Sequence, residues 1–457
     1  MLRAIKILVF AFIGLLVVFI LFVAGMRMRG PTESQQAALA TLARPMPPVV
    51  GRDGSDAIWL LDHDVPEAQR AAVATQLLRY YDERDALTSA GRQPEADRLV
   101  DPLSKFPAYA KFPGNEAGLC EEADRNCLAT VRADPAGTEA TMQRHQAGLR
   151  AVLALSAYDG VRTSLKPTLT QAIPTFSSQR KLVRTHFAQM FARGMKDEAL
   201  AGLCGDIGAW RRLGGNTDML IGSMVGAAYV RHDLALLGEM VAELPMDARL
   251  PSACDAALAP SKDYELDLCP AIRTEFHGVE NTISSGITSK DARRPGRALA
   301  GLAIDNEHFL ATIAPAYAQY CDPAAVQTAR LDRSWKGKVA APRCASMDKL
   351  SDPLGCVLID LTGDNNYSRY LDRRTDLAAT LALMRTVLWL REQSSDPNDW
   401  PGKLATRPAS VGLRREPTIA GDGSEISIAL LEQSRDKTYS LLLPKQQQSS
   451  PTSAKSP

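Results

Sequence analysis

The stretch ILVFAFIGLLVVFILFVAGM, Ile7 to Met26, contains no charged residue and constrains this chain more than any other feature. Crossing a bilayer core takes roughly 20 apolar residues in helical form, whereas the apolar centre of a cleavable leader runs about 7–15. Length therefore predicts a retained transmembrane helix. Val23, Ala24 and Gly25 keep the cleaved alternative open, because small residues precede Met26 in a pattern that signal peptidase accepts. Arg3 and Lys6 on one side and Arg27 and Arg29 on the other leave the flanks balanced, so orientation has to come from other residues.

The cysteines supply it. Eight of them, at 120, 127, 204, 254, 269, 321, 344 and 356, all follow the apolar stretch, and no CxxC occurs. Zinc sites and thioredoxin-like turns need that close spacing, so no metal and no cofactor is expected. Disulfides are the better reading, and short loops favour Cys120 with Cys127, Cys254 with Cys269, and Cys344 with Cys356, leaving Cys204 for Cys321. Buried free thiols are the alternative. Disulfides persist in oxidising compartments, which predicts a single-pass inner-membrane protein of bacterial type with its body in the periplasm.

Composition excludes other classes. Lys+Arg 53 against Asp+Glu 52 gives a net charge of +1, with no long run of either sign, so nucleic acid is not an expected partner. A hydrophobic share of 45% with 23% charged residues belongs to a globular chain. The expected organisation is a short cytoplasmic tail (1–6), the membrane helix (7–26), a polar stalk (27–50), a helical extracytoplasmic body (51–393), a loop and docked β-hairpin (394–444), and a disordered tail (445–457).

Within the body, Asp64 and Glu67 have capping-box spacing ahead of the apolar face Val73, Leu77, Tyr80 and Tyr81. Over 181–245 the stripe Leu200, Leu203, Ile207, Trp210 recurs 34 residues later as Leu234, Leu237, Val241, Leu244. The same offset carries Phe187, Met190 and Phe191 to Ile221, Met224 and Val225. Gly194 closes the first unit and Pro245 ends the second. In length this pair of helical hairpins resembles a tetratricopeptide array, although that family's Trp, Leu-Gly, Tyr pattern is absent. A helical-hairpin bundle and a short α-solenoid both fit, with the bundle ahead. Further helices are expected at 140–158, 297–320 and 374–393. Alternation at Ile426, Ile428, Leu430 and at Tyr439, Leu441, Leu443 around QSRDK predicts a small C-terminal β-hairpin. The fold class is thus mainly α, and 246–292 shows no readable order.

Chemistry-bearing groups are sparse. Glu275, His277 and Glu280 in RTEFHGVEN combine carboxylates with an imidazole, the makings of an acid–base site, although their spacing does not put all three on one helical face. The dipeptides His63-Asp64 and His232-Asp233 invite a metal-dependent phosphohydrolase reading but lack a surrounding ligand set. No GxSxG, HExxH, Walker loop or GxGxxG occurs, and the two SxxK matches, at 178–181 and 434–437, lack their companion motifs. Gly202, Gly205 and Gly208 suit close helix packing, Trp400 suits anchoring, and Trp59 suits either the core or an exposed docking face. The sequence therefore predicts a binder that acts through a protein partner in the envelope, with a hydrolase at Glu275, His277 and Glu280 as the enzymatic alternative.

Overall fold

Gly194, at φ +88°, ends the first helix of the repeated segment, but the residue 34 places on is Ala228, which has no reason to leave the helical region. In the computed structural model the chain accordingly stays helical through 228. The second hairpin is a correction: it is one helix of 23 residues. The structure describes residues 2–28, 30–109, 118–121, 126–176, 180–288, 304–336, 342–344, 346, 348–362, 367–393, 399–433 and 436–444.

The helices that carry the architecture are α1 (Leu2–Arg27), α2 (Glu33–Leu42), α3 (Arg70–Ser89), α4 (Gln146–Leu153), α5 (Arg180–Ala192), α6 (Lys196–Gly215), α7 (Leu220–Ala242), α8 (Cys269–Thr288), α9 (Asn306–Ala318) and α10 (Ser368–Gln393). Helices α5, α6 and α7 pack in succession, and every residue of the two predicted stripes is buried. Two glycines let α6 and α7 touch: a Cβ on Gly226 would lie 2.7 Å from the Gly214 Cα. Gly202 has a comparable role, since a Cβ there would run into the Phe187 ring, whereas Gly205 and Gly208 face no close backbone or core neighbour.

The main core joins these helices to α10 and to a three-stranded antiparallel sheet, β1 (Thr418–Ile419), β2 (Glu425–Ala429) and β3 (Thr438–Leu442), in that order. Ile426 pairs with Leu441 and Ile428 with Tyr439, so the predicted hairpin has its apolar alternation turned inward. The edge strand β1 carries only two residues and left no alternation to read. A second core gathers around Ile272, Phe276 and Val279 of α8 and Phe309, Ile313 and Tyr317 of α9, capped by the edge-to-face pair Phe276–Tyr317. Ala38 and Leu42 of α2 are buried in it, so this part of 27–50 packs on the body.

Other boundaries moved for local reasons. Asp64 does not cap a helix: its N–H bonds to the Pro107 carbonyl, and α3 starts six residues later after a 3-10 turn at Glu67–Gln69. The helix expected at 140–158 breaks at His145, and that at 297–320 is observed from Asn306, with 297–303 outside the described residues. The region 246–292 is short helices followed by α8. The tail 445–457 also lies outside the described residues.

The predicted membrane span is a further correction. Ile7–Met26 does fall within α1, which leaves Ile7, Phe10, Phe12 and Leu15 exposed and runs beside the short helix Asp348–Ser351. Among the described residues, however, no helix is long and apolar enough to cross a membrane. Membrane anchoring through an N-terminal helix, and with it the single-pass inner-membrane location, is not supported.

All eight cysteines are paired. Cys120–Cys127 and Cys344–Cys356 are as expected, while the other two bridges are Cys204–Cys254 and Cys269–Cys321. The helix Ser252–Ala257 packs on α6 and brings Cys254 within 4.9 Å, Cα to Cα, of Cys204, a contact that short-loop reasoning could not anticipate. Bridges across 50 and 52 residues constrain the unfolded chain more than one across 7. Replacing Cys204 and Cys254 together by alanine is expected to lower unfolding free energy by about 4 kcal/mol, and the Cys120/Cys127 pair by about 2.5 kcal/mol, in urea titrations. Equal losses would refute the long-loop assignment.

Candidate functional site

Helix α8 starts where Asp267 Oδ1 accepts the Cys269 N–H and the disulfide to Cys321 fixes its first turn. Its apolar stripe turns into the second core, and the residues beside the stripe diverge. Glu275 emerges on one flank and His277 and Glu280 on the other, as 100° per residue requires. His277 Nδ1 lies 2.8 Å from Glu280 Oε2 in a half-exposed i,i+3 pair. The structure thus brings together two of the three predicted residues and sets Glu275 apart.

Glu275 instead faces a groove of about 170 Å³. One wall is the start of α7, Met219 to Ile221; the other is the loop 167–174; Thr274, Glu275 and Gly278 of α8 form the floor. Leu169, Ile173 and Ile221 are 62%, 56% and 42% exposed, so the groove rim is an apolar patch open to a partner. Among the described residues Glu275 has neither a hydrogen-bond nor an ion-pair partner, and burial alone raises its carboxyl above the usual range.

The first half of the loop is tied down. Asn281 Nδ2 donates to the Pro167 carbonyl at 2.9 Å, and the Leu169 N–H donates to Thr282 Oγ1 at 2.9 Å. Asp85 of α3 accepts from Thr168 Oγ1 at 2.9 Å and Thr170 Oγ1 at 2.5 Å. Upstream, the Thr163 N–H donates to Asp218 Oδ1 at 2.7 Å, beside the groove residue Met219. Burial pushes the Asp218 carboxyl up to about 6. These contacts hold the groove open before any partner arrives, which lowers the ordering cost of binding.

The other predicted groups go elsewhere. Asp233 is fully buried and pairs with Arg180, whose guanidinium also meets Asp206 and sits over the rings of Trp210 and Tyr229 at 5.5 and 4.9 Å. Burial pulls His232 down to about 4, with Arg184, Arg231 and Arg180 adding to it. The partner of Asp233 is therefore an arginine cation, and among the described residues no group of three His, Cys, Asp or Glu is placed to hold a metal. His63 and Asp64 line a separate cleft. Trp59 and Trp400 are buried anchors. The serines of both SxxK matches, Ser178 and Ser434, lie outside the described residues.

Sequence reasoning missed Leu169, Ile173 and Ile221. The available signal was PTLTQAIP, an apolar pair in a loop bracketed by Pro167 and Pro174, too long and too greasy to be a mere turn. No family model, no curated protein and no solved structure matches the chain.

The divergence on α8 predicts different pH behaviour for its flanks. A carboxyl whose folded pKa is raised binds its proton more tightly folded than unfolded, so its contribution is favourable at low pH and is lost as pH rises through the folded value. Glu275→Gln is therefore expected to raise unfolding free energy at pH 7 while changing little at pH 4, by denaturant titration at both values. His277→Ala, which removes only a surface pair, is expected to change stability by no more than about 0.5 kcal/mol. A loss of stability at pH 7 in Glu275→Gln would contradict the burial assignment.

Proposed function

We propose that this protein is a binding protein of an oxidising compartment, acting through protein contacts, and that its groove at 167–174, Met219–Ile221 and Glu275 takes an apolar peptide segment carrying a basic residue. The groove supports this reading because its rim carries the exposed apolar side chains Leu169, Ile173 and Ile221, its loop is pinned, and its floor holds one carboxyl without a partner among the described residues. An amine or guanidinium placed there would offset the desolvation of Glu275 and return it to the ionised state, while aliphatic side chains of the peptide would cover Leu169, Ile173 and Ile221. Four disulfides support the oxidising compartment.

The hydrolase alternative needs an acid and a base facing one reacting atom. The pair His277–Glu280 meets at 2.8 Å but is half-exposed and outside the groove lining that holds Glu275, and the binding reading stands ahead of the hydrolase.

Selection of a displayed peptide library on the immobilised full-length chain tests the proposal. Enriched sequences are expected to combine large aliphatic or aromatic residues with Lys or Arg. Ile173→Asp with Ile221→Asp, both at exposed positions, is expected to weaken a selected peptide roughly tenfold or more, and Glu275→Gln to remove the preference for the basic residue. Peptides that bind these variants as well as the parent would overturn the assignment of the groove.

A further inference from the structure

A second cavity, also about 170 Å³, lies between the segment 57–70, Tyr109 and the side of α4 with the 3-10 turn Ala154–Ala157 that follows. Its chemistry differs from the groove. Leu60, Leu61 and Leu155 make an apolar interior with alanines of α4, and the mouth carries Arg70, Arg150, His63, Tyr109 and Asp64.

The polar groups converge. The Tyr109 hydroxyl donates to Asp64 Oδ1 at 3.5 Å, and its pKa is raised by burial and by Asp64 while both Arg70 and Arg150 act in the opposite direction. Both arginines line the same cleft as that hydroxyl. Arg70 Nε donates to the Val65 carbonyl at 3.1 Å, which fixes the head group while leaving its terminal nitrogens to other acceptors. Among the described residues, buried His63 Nδ1 has no hydrogen-bond partner. Two arginines, one of them held by the Val65 carbonyl, against one carboxylate leave the mouth with an excess of positive charge, the complement of an anion.

We infer that this cleft binds a small organic carboxylate, its apolar body inside against Leu60, Leu61 and Leu155 and its carboxylate at the mouth between Arg70 and Arg150. Size limits the body. An engineered apolar cavity of about 150 Å³ holds benzene, so one ring or a branched aliphatic group fills this one. His63 lines the cleft beside the arginines and is a further donor. A free acid and the C-terminal carboxylate of a peptide with an apolar last residue share this chemistry.

Phenylacetate, N-acetylphenylalanine, benzylamine and inorganic phosphate, each titrated into the full-length protein and followed calorimetrically, test the inference. Phenylacetate is expected to bind saturably at one site, benzylamine and phosphate not to. Tighter binding of N-acetylphenylalanine than of phenylacetate would assign the cleft to a peptide terminus, and the reverse to a free acid. Arg150→Gln, at an exposed position, is expected to weaken binding about tenfold, and Ala151→Phe to fill the cavity and abolish it. If Ala151→Phe fails to fold by circular dichroism, Arg150→Gln decides alone. Absence of saturable phenylacetate binding, equal binding of benzylamine, binding of phosphate alone, or phenylacetate affinity unchanged in Arg150→Gln would each overturn the inference.

Discussion

One buried guanidinium ties the two cores together. Arg374, in the second turn of α10, donates through Nε to Ser223 Oγ at 2.7 Å, through Nη2 to the Gly214 carbonyl at 3.1 Å, and through Nη1 to the carbonyls of Tyr264, Glu265 and Asp267 at 3.3, 3.1 and 2.9 Å. Its partners are the end of α6, the first turn of α7 and the approach to α8. Those are the segments on which the groove depends, since Met219–Ile221 lies between Gly214 and Ser223, and Glu275 follows two turns after Asp267. Burial pulls Arg374 down to about 10, which still leaves it charged at neutral pH. Carbonyl dipoles at helix ends offset part of its desolvation, and a lysine could not span the same acceptors.

Other arginines act on the same principle. Arg211 makes a bidentate pair with Glu265 at 2.8 and 2.9 Å and donates to the Ala257 and Ala259 carbonyls, fastening the segment that Arg374 also holds. Arg415 bridges Asp332 and Asp376 at 2.6 Å each, joining the sheet region to α10. Arg180 differs, because among the described residues its Nε and Nη1 have no hydrogen-bond partner and the rings of Trp210 and Tyr229 cover it instead. Buried pairs like these add little net stability over well-packed apolar residues, but breaking one leaves a stranded charge that costs about 3–5 kcal/mol.

Local rules carried the sequence reading a fair distance. Helical stripes such as Leu200 to Trp210 and the alternation at Ile426 and Leu441 found buried faces correctly, because burial periodicity is a property of a single element. Gly194 marked a real turn, and two short-loop disulfides were legible from spacing. What failed was tertiary. The 34-residue likeness hid the replacement of Gly194 by Ala228, which converts a hairpin into one helix. Cys204 chose Cys254 because a short helix packs on α6, and Asp64 turned to a neighbouring segment in place of capping. Arg374 was invisible for the same reason: an arginine in a charged helical stretch, SRYLDRRTD, reads as solvent-facing. The candidate site was half legible, since RTEFHGVEN contained Glu275, whereas its apolar walls come from segments about 50 and more than 100 residues away in sequence.

The central claim is that Arg374 positions the groove through its carbonyl partners, and hydrogen exchange in Arg374→Lys tests it most directly. The account predicts faster exchange at the start of α7, at the approach to α8 and in the loop 167–174, with the sheet and α5 keeping their protection. Unchanged protection in the groove segments, with lysine substituting freely, would contradict it.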